Sequence, residues 1–212
     1  MLFALQSRQL LPLIDSRLAM EMLQERVVIG RRSGVSTPPA EPPTHIVLFG
    51  AGHVGHALVR LLGMLPCVVQ WVDARDELFP DEVPGNVEIE ATDTPDAIVD
   101  SAPAGACFLV MTHDHSLDFS LAVRIMRRND FAYFGMIGSK TKRVKFERRL
   151  VDRGVDPGRL TEMTCPIGVE GIVDKAPASI AVAVCAQLMQ VRALSQYGAR
   201  LCMGREGERL YR

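Results

Sequence analysis

No Cys-x-x-Cys pair occurs in this chain, and its five cysteines (67, 107, 165, 185 and 202) lie scattered without zinc-type spacing. That excludes a zinc finger or a disulfide framework, and an odd, unpaired set fits a reducing compartment, so a cytoplasmic protein is expected. Basic charge is not in excess either: 24 Lys and Arg against 25 Asp and Glu leave a formal net charge of −1. Neutralising many phosphates needs a basic surplus, which argues against nucleic acid as a partner. No apolar run approaches the roughly 18 residues that span a bilayer, so no membrane segment is expected. The opening "MLFALQSRQLLPLID" lacks a basic leader and a small-residue cleavage site, and is not read as a signal peptide. Repeats at solenoid periods are missing too. What remains is an ordinary globular composition, 48% hydrophobic and 23% charged over 212 residues. That is long enough for one medium α/β domain with short extensions.

Residues 1–32 read as a short helical extension, with Leu11, Ile14 and Leu18 at helical spacing although Pro12 interrupts the first turn. "SGVSTPPAEPPT", residues 33–44, holds two Pro-Pro pairs and reads as a linker. From residue 45 to 194, strand-like and helix-like segments alternate. The strands are "HIVLFG", "CVVQWVDAR", "NVEIEAT", "ACFLVMT", "FAYFGMIG" and "LTEMTCPIG". Thr94 before Pro95 reads as the cap of one helix, and Pro177 opens a long closing helix. Residues 195–212 carry Gly and Arg without periodicity and read as a flexible tail. Such alternation implies a doubly wound parallel sheet of Rossmann type, strand order 3-2-1-4-5-6, with ligands gathering outside the carboxyl ends of the strands.

Those ends hold most of the chemistry-bearing residues. Gly50-x-Gly52-x-x-Gly55 follows the first strand. Gly50 permits the tight turn, Gly52 lets backbone approach a phosphate, and Gly55 lets the helix pack close. Asp73 ends the second strand 23 residues after Gly50, the distance at which an acid meets a ribose 2′-hydroxyl. It could equally begin the turn "DARDELF", and an acid there disfavours a 2′-phosphate, although Arg75 keeps that open. "THDHSLD" brings Thr112, His113, Asp114, His115 and Asp118 to the centre. The residue types suit a metal site, but no third ligand can be placed and no metal is assigned; capping by Ser116 with solvated histidines is the plain alternative. "GMIGSKTKR" opens a helix rich in cations, which oppose the macrodipole at its start. A bound anion meeting Ser139 and Lys140 would offset that cost, as would simple hydration or an acidic protein partner. Cys165 ends the sixth strand near the same crevice and reads first as an inert structural thiol; a pKa lowered by Lys140 and helix N-termini, making it a soft ligand or acceptor, is the alternative. Asp174 fits a helix cap.

Together, "VLFGAGHVGHAL", "VMTHDHSLD", "GMIGSKTKR" and "CPIGVEGIVDKAPASIAVAVCAQLM" resemble the carboxyl-terminal domain of the xanthine dehydrogenase accessory proteins, the XdhC/CoxI family, over about residues 44–192. The resemblance implies a chaperone rather than an enzyme, one that binds the molybdenum cofactor and assists its sulfuration and insertion. Its implied partners are the large subunit of a xanthine dehydrogenase-type enzyme and a cysteine desulfurase, and copies of the chain are expected to associate. In that role Gly50, Gly52, His53 and Gly55 would line the first turn, with Asp73 beside it. Thr112, His113 and His115 would contact the pterin or metal-bound oxygens, Gly138, Ser139 and Lys140 would meet a phosphate, and Cys165 would approach the metal end. Two other readings stay open: an NAD-dependent oxidoreductase with Asp73 on the ribose, and a nucleotide-sensing regulatory domain.

Overall fold

The computed structural model describes residues 43–209, with side chains to residue 195, so the helical extension and most of the linker lie outside the described residues. Six strands form one sheet: β1 (Thr44–Phe49), β2 (Cys67–Asp73), β3 (Val87–Ala91), β4 (Cys107–Val110), β5 (Tyr133–Met136) and β6 (Met163–Thr164). Every pairing is parallel and the order is β3-β2-β1-β4-β5-β6, the doubly wound arrangement expected from the alternation. Phe49 registers with Val72 and with Val110, and Val110 with Met136, so the carboxyl ends of the central strands form one level edge.

Side chains along β1 alternate between two cores. Val47 and Phe49 face α2 (Pro95–Ser101), α3 (His115–Arg127) and α4 (Lys140–Asp152). Ile46 and Leu48 face α1 (His53–Leu62) and α5 (Pro177–Arg209). Both faces of the sheet are thus covered, which is why β4 and β5 read as unbroken apolar runs. Trp71, Phe49, Phe108 and Phe134 are fully buried, each contributing about 1.5–3 kcal/mol of apolar transfer. Cys67, Cys107, Cys165 and Cys185 are buried free thiols within these cores.

Several local readings change. The sixth strand is only two residues long, because Pro157–Glu162 is a 3-10 helix and Pro166 cannot donate to a ladder. Thr94 occupies the cap position of α2 without a side-chain cap bond; its hydroxyl lies 3.1 Å from that of Thr92. Asp114, not Ser116, caps α3, its carboxylate accepting the Ser116 N–H at 2.7 Å. Asp174 does close the first turn of α5, accepting from the Ala176 N–H at 3.0 Å and from the Ser179 hydroxyl. The stretch expected as a flexible tail continues α5 to Arg209: it contains no proline, and each glycine costs a helix only about 1 kcal/mol.

The first part of α5, Pro177–Ser195, has a mean hydropathy of 1.4 and by length and composition could cross a membrane, contrary to the expectation that no run comes near. Here Ala181, Val184, Cys185 and Leu188 turn that apolarity toward the sheet. Beside it, at the amino end of the strands, Thr44, Ile46, Leu62, Pro66, Leu188 and Met189 line an apolar cavity of about 290 Å³.

The start of α1 packs as the glycine spacing requires. A Cβ at Gly55 would lie 2.3 Å from the Gly50 carbonyl oxygen. Helix propensity favours Gly55→Ala by about 1 kcal/mol, but the clash is with backbone and cannot relax cheaply. Gly55→Ala is therefore expected to lower stability by about 1–3 kcal/mol, measured as a reduced urea midpoint. An unchanged or raised midpoint would show that the turn yields.

Candidate functional site

The glycine turn between β1 and α1 is held from below by three consecutive residues of β2. The Gly50 N–H donates to the Val72 carbonyl at 2.8 Å, and the Trp71 indole N–H donates to the Gly50 carbonyl at 3.0 Å. The Ala51 N–H donates to the Asp73 carboxylate at 2.8 Å. Gly50 has φ +118°, a conformation that side chains rarely adopt, and a Cβ there would lie 2.4 Å from the Met111 carbonyl oxygen. The first turn is therefore pressed against the end of β4, bringing Gly50 beside Thr112.

Gly52 differs from its neighbours. Its φ is −82° and a Cβ would meet nothing within 4 Å, so neither backbone nor packing calls for glycine there. Its lack of a side chain leaves an open approach to the first amides of α1. No acid occupies the first turn of that helix, so its partial positive charge is uncompensated by acids of that turn. His53 opens the helix with an exposed side chain.

Asp73 is sheltered, with 6% of its side chain exposed, and its carboxylate also takes the Arg75 side chain at 2.9 Å through both Nε and Nη2. Burial alone would raise its pKa. The Arg75 guanidinium and the backbone donors of Ala51 and Arg75 prevail and hold it down at about 2. The acid expected on a ribose thus fastens the glycine turn and begins the next one, since the Arg75 N–H also donates to it.

Two charges whose pairing the sequence conceals occupy the middle of the crevice. Asp118 on α3 has no exposed surface; it accepts from the Thr112 hydroxyl at 2.7 Å and from Lys142 Nζ at 2.6 Å. Lys142, only 11% exposed, also donates to the Ile137 carbonyl at 2.9 Å. A buried acid was signalled by spacing: Asp118 shares a helical stripe with Leu121, Ala122 and Ile125, and a charge there needs a partner. Lys140, expected to be the anion-binding lysine, is exposed at the helix start. The Ser139 hydroxyl caps α4, accepting the Lys142 N–H at 3.2 Å.

His113 and His115 stand on the rim. His115 is 82% exposed, its Nδ1 lying 3.8 Å from Asp118. Among the described residues no group of His, Cys, Asp or Glu could hold a metal ion. Cys165 is 2% exposed and lies under Gly138, where a Cβ would come within 3.0 Å of its Sγ. Burial pushes the Cys165 thiol up, outweighing the lowering by Lys142 and Arg143, which agrees with an inert structural thiol and not with the alternative of a pKa lowered beside Lys140. The level strand ends accordingly bring the turns of all the expected residues to one edge, but Asp73 and Cys165 are engaged or covered there.

Asp118→Ala would leave the Lys142 ammonium buried without its counter-charge, and a loss of about 3–5 kcal/mol in a urea titration is expected. The double change with Lys142→Met should recover part of it; additive losses would show that the two charges do not depend on each other. For Asp73 the pKa falls from 3.8 to about 2 on folding, so the stabilisation is full above the unfolded value and disappears as pH drops through the folded one. Asp73→Asn should cost on the order of 2 kcal/mol near neutral pH, with the gap to the parent closing between about pH 4 and pH 2. A gap independent of pH would contradict the pairing.

Known proteins share this fold. Residues 46–188 match the family described as the XdhC Rossmann domain. Over 148 residues the chain is 25% identical to an uncharacterised protein of Escherichia coli K12, YqeB, a match spanning 69% of this chain and 27% of that one. A solved structure from Bacillus halodurans, described as a xanthine dehydrogenase, superposes with a TM-score of 0.60 at 23% identity. That superposition covers 72% of this chain and 43% of the other, and shows a shared fold. The chain thus spans less than half the length of either relative. With the glycine turn and the other strand-end turns inside the matched stretch, the chain belongs to the XdhC Rossmann domain family.

Proposed function

We propose that this chain is an accessory protein of a xanthine dehydrogenase-type system, binding the phosphate-bearing molybdenum cofactor at its strand ends and assisting its sulfuration and insertion. The observation that carries the reading is Gly52, a glycine required by neither φ nor packing, whose bareness opens the α1 amides to an anion. The pterin's phosphate fits that cradle, held by the N–H groups of Gly52 and His53. The amides beginning α4, with Ser139 and Lys140, offer a second anion contact. His113 and His115, exposed on the rim, would meet the polar ring, while Thr112 orients their turn through its hydroxyl contacts with Asp118 and Asp114. When bound, the cofactor supplies the molybdenum chemistry of the enzyme that receives it; the chain's own part is to hold and shield it. Cys165 does not fit the role of a ligand to the metal end, lying beneath Gly138 with its thiol pKa raised.

Family membership and the likeness in fold support this reading, and the large subunit of the recipient enzyme, a cysteine desulfurase and further copies of the chain are its proposed partners. Protein purified from a host rich in molybdenum cofactor should release a pterin on denaturation, identified by mass spectrometry. Gly52→Val should abolish that retention and the reconstitution of a cofactor-free xanthine dehydrogenase, with the melting temperature unchanged. Lys140→Ala should weaken cofactor binding by about 1.5–3 kcal/mol. A parent protein free of pterin, or a Gly52→Val protein that retains it fully, would refute the assignment.

A further inference from the structure

At the end of β2, hydrogen-bonding capacity is distributed unevenly. Both oxygens of the Asp73 carboxylate are doubly engaged. Oδ1 accepts from the Arg75 N–H at 3.1 Å and from Nε at 2.9 Å. Oδ2 accepts from the Ala51 N–H at 2.8 Å and from Arg75 Nη2 at 2.9 Å. A carboxylate offers about four lone-pair positions, and here all are used. A ribose diol, which must donate to this acid, finds no acceptor until Arg75 is pulled away from a two-pronged, charge-assisted contact.

Arg75 is the reverse case. Of its five side-chain N–H donors the contact with Asp73 uses two, and 34% of its side chain remains exposed. Its charge cancels that of Asp73, so that acid adds no repulsion of its own, although exposed Asp76 and Glu77 follow on the next turn. A planar guanidinium with spare donors suits a phosphomonoester. Glu77, exposed on the next turn, also acts on Arg75, and an arriving phosphate has to compete with it.

We propose that Arg75 is a specificity-determining residue, making the β2 end of the crevice select a nucleotide that carries a 2′-phosphate over one with a free 2′,3′-diol. This goes beyond the cofactor-carrying role and shares with it only the amides opened by Gly52. Arg75 stays on Asp73 while its outer donors meet the phosphate, and the nucleotide's pyrophosphate lies over the first turn of α1.

Calorimetry on the full chain tests the proposal with NADP, NAD, adenosine 2′,5′-bisphosphate, 5′-AMP and inorganic phosphate. The two ligands with a 2′-phosphate should bind roughly tenfold or more tightly than their unphosphorylated counterparts, the scale of one charge-assisted hydrogen bond. Arg75→Ala should bring that ratio to parity or reverse it, because the freed Asp73 can then accept from the diol. Glu77→Gln should strengthen NADP binding and leave NAD unaffected. NAD binding as tightly as NADP in the parent, or no binding by any nucleotide, would overturn the proposal. So would equal losses for both dinucleotides in Arg75→Ala, which would mark a merely structural residue. Inorganic phosphate binding as tightly as the bisphosphate would leave an anion site and refute the nucleotide. A chain that retains a pterin but prefers no 2′-phosphate refutes this inference alone, and one that prefers NADP but carries no pterin refutes only the cofactor role.

Discussion

The hold of β2 on the glycine turn is the contact on which the candidate site depends. Three residues in succession, Trp71, Val72 and Asp73, bond to Gly50 and Ala51 with a side-chain donor, a backbone acceptor and a side-chain acceptor. Each bond alone is worth about 1 kcal/mol net. Together they fix a residue at φ +118° against the end of β4, a placement that local sequence could not maintain. The open approach above Gly52 exists because the backbone beneath it cannot sink.

The other half of the crevice is organised by opposite means. There, the loops after β4 and β5 are tied by a charge pair rather than by a strand: Asp118 receives Thr112 from its own turn and Lys142 from the neighbouring helix. The α4 helix buries only Phe146 and Leu150, and Arg149 lies 3.7 Å from the centroid of the Phe119 ring. Its seat on α3 is therefore polar and aromatic more than aliphatic. One side of the crevice is set by the sheet and the other by ion pairing.

Sequence reading recovered the sheet order, because short apolar runs alternating with helical stripes are visible in short windows and imply parallel crossovers. It placed the glycines for the same reason. What it missed involves partners distant in the chain. Asp118 meets a lysine 24 residues away, and Asp73 meets Ala51 22 residues before it. A spacing rule identified Asp73 as a residue at the right place but could not count its free lone pairs. Lys142 carries no signal in its spacing, because its stem reaches inward to Asp118 from the position that faces the neighbouring helix. The sixth strand is present but shorter than "LTEMTCPIG" suggests, because apolar content persists there where hydrogen-bond pairing has stopped.

The four described cysteines are all interior, and burial raises each thiol pKa, to about 12 for Cys107 and about 11 for Cys185. A thiolate-seeking reagent thus meets almost no reactive sulfur on these residues while the sheet is closed. Cys107 reports on the centre of the sheet, Cys67 and Cys185 on the α1 and α5 face, and Cys165 on the floor of the crevice. The order in which alkylation reaches them would record which layer of the domain opens first.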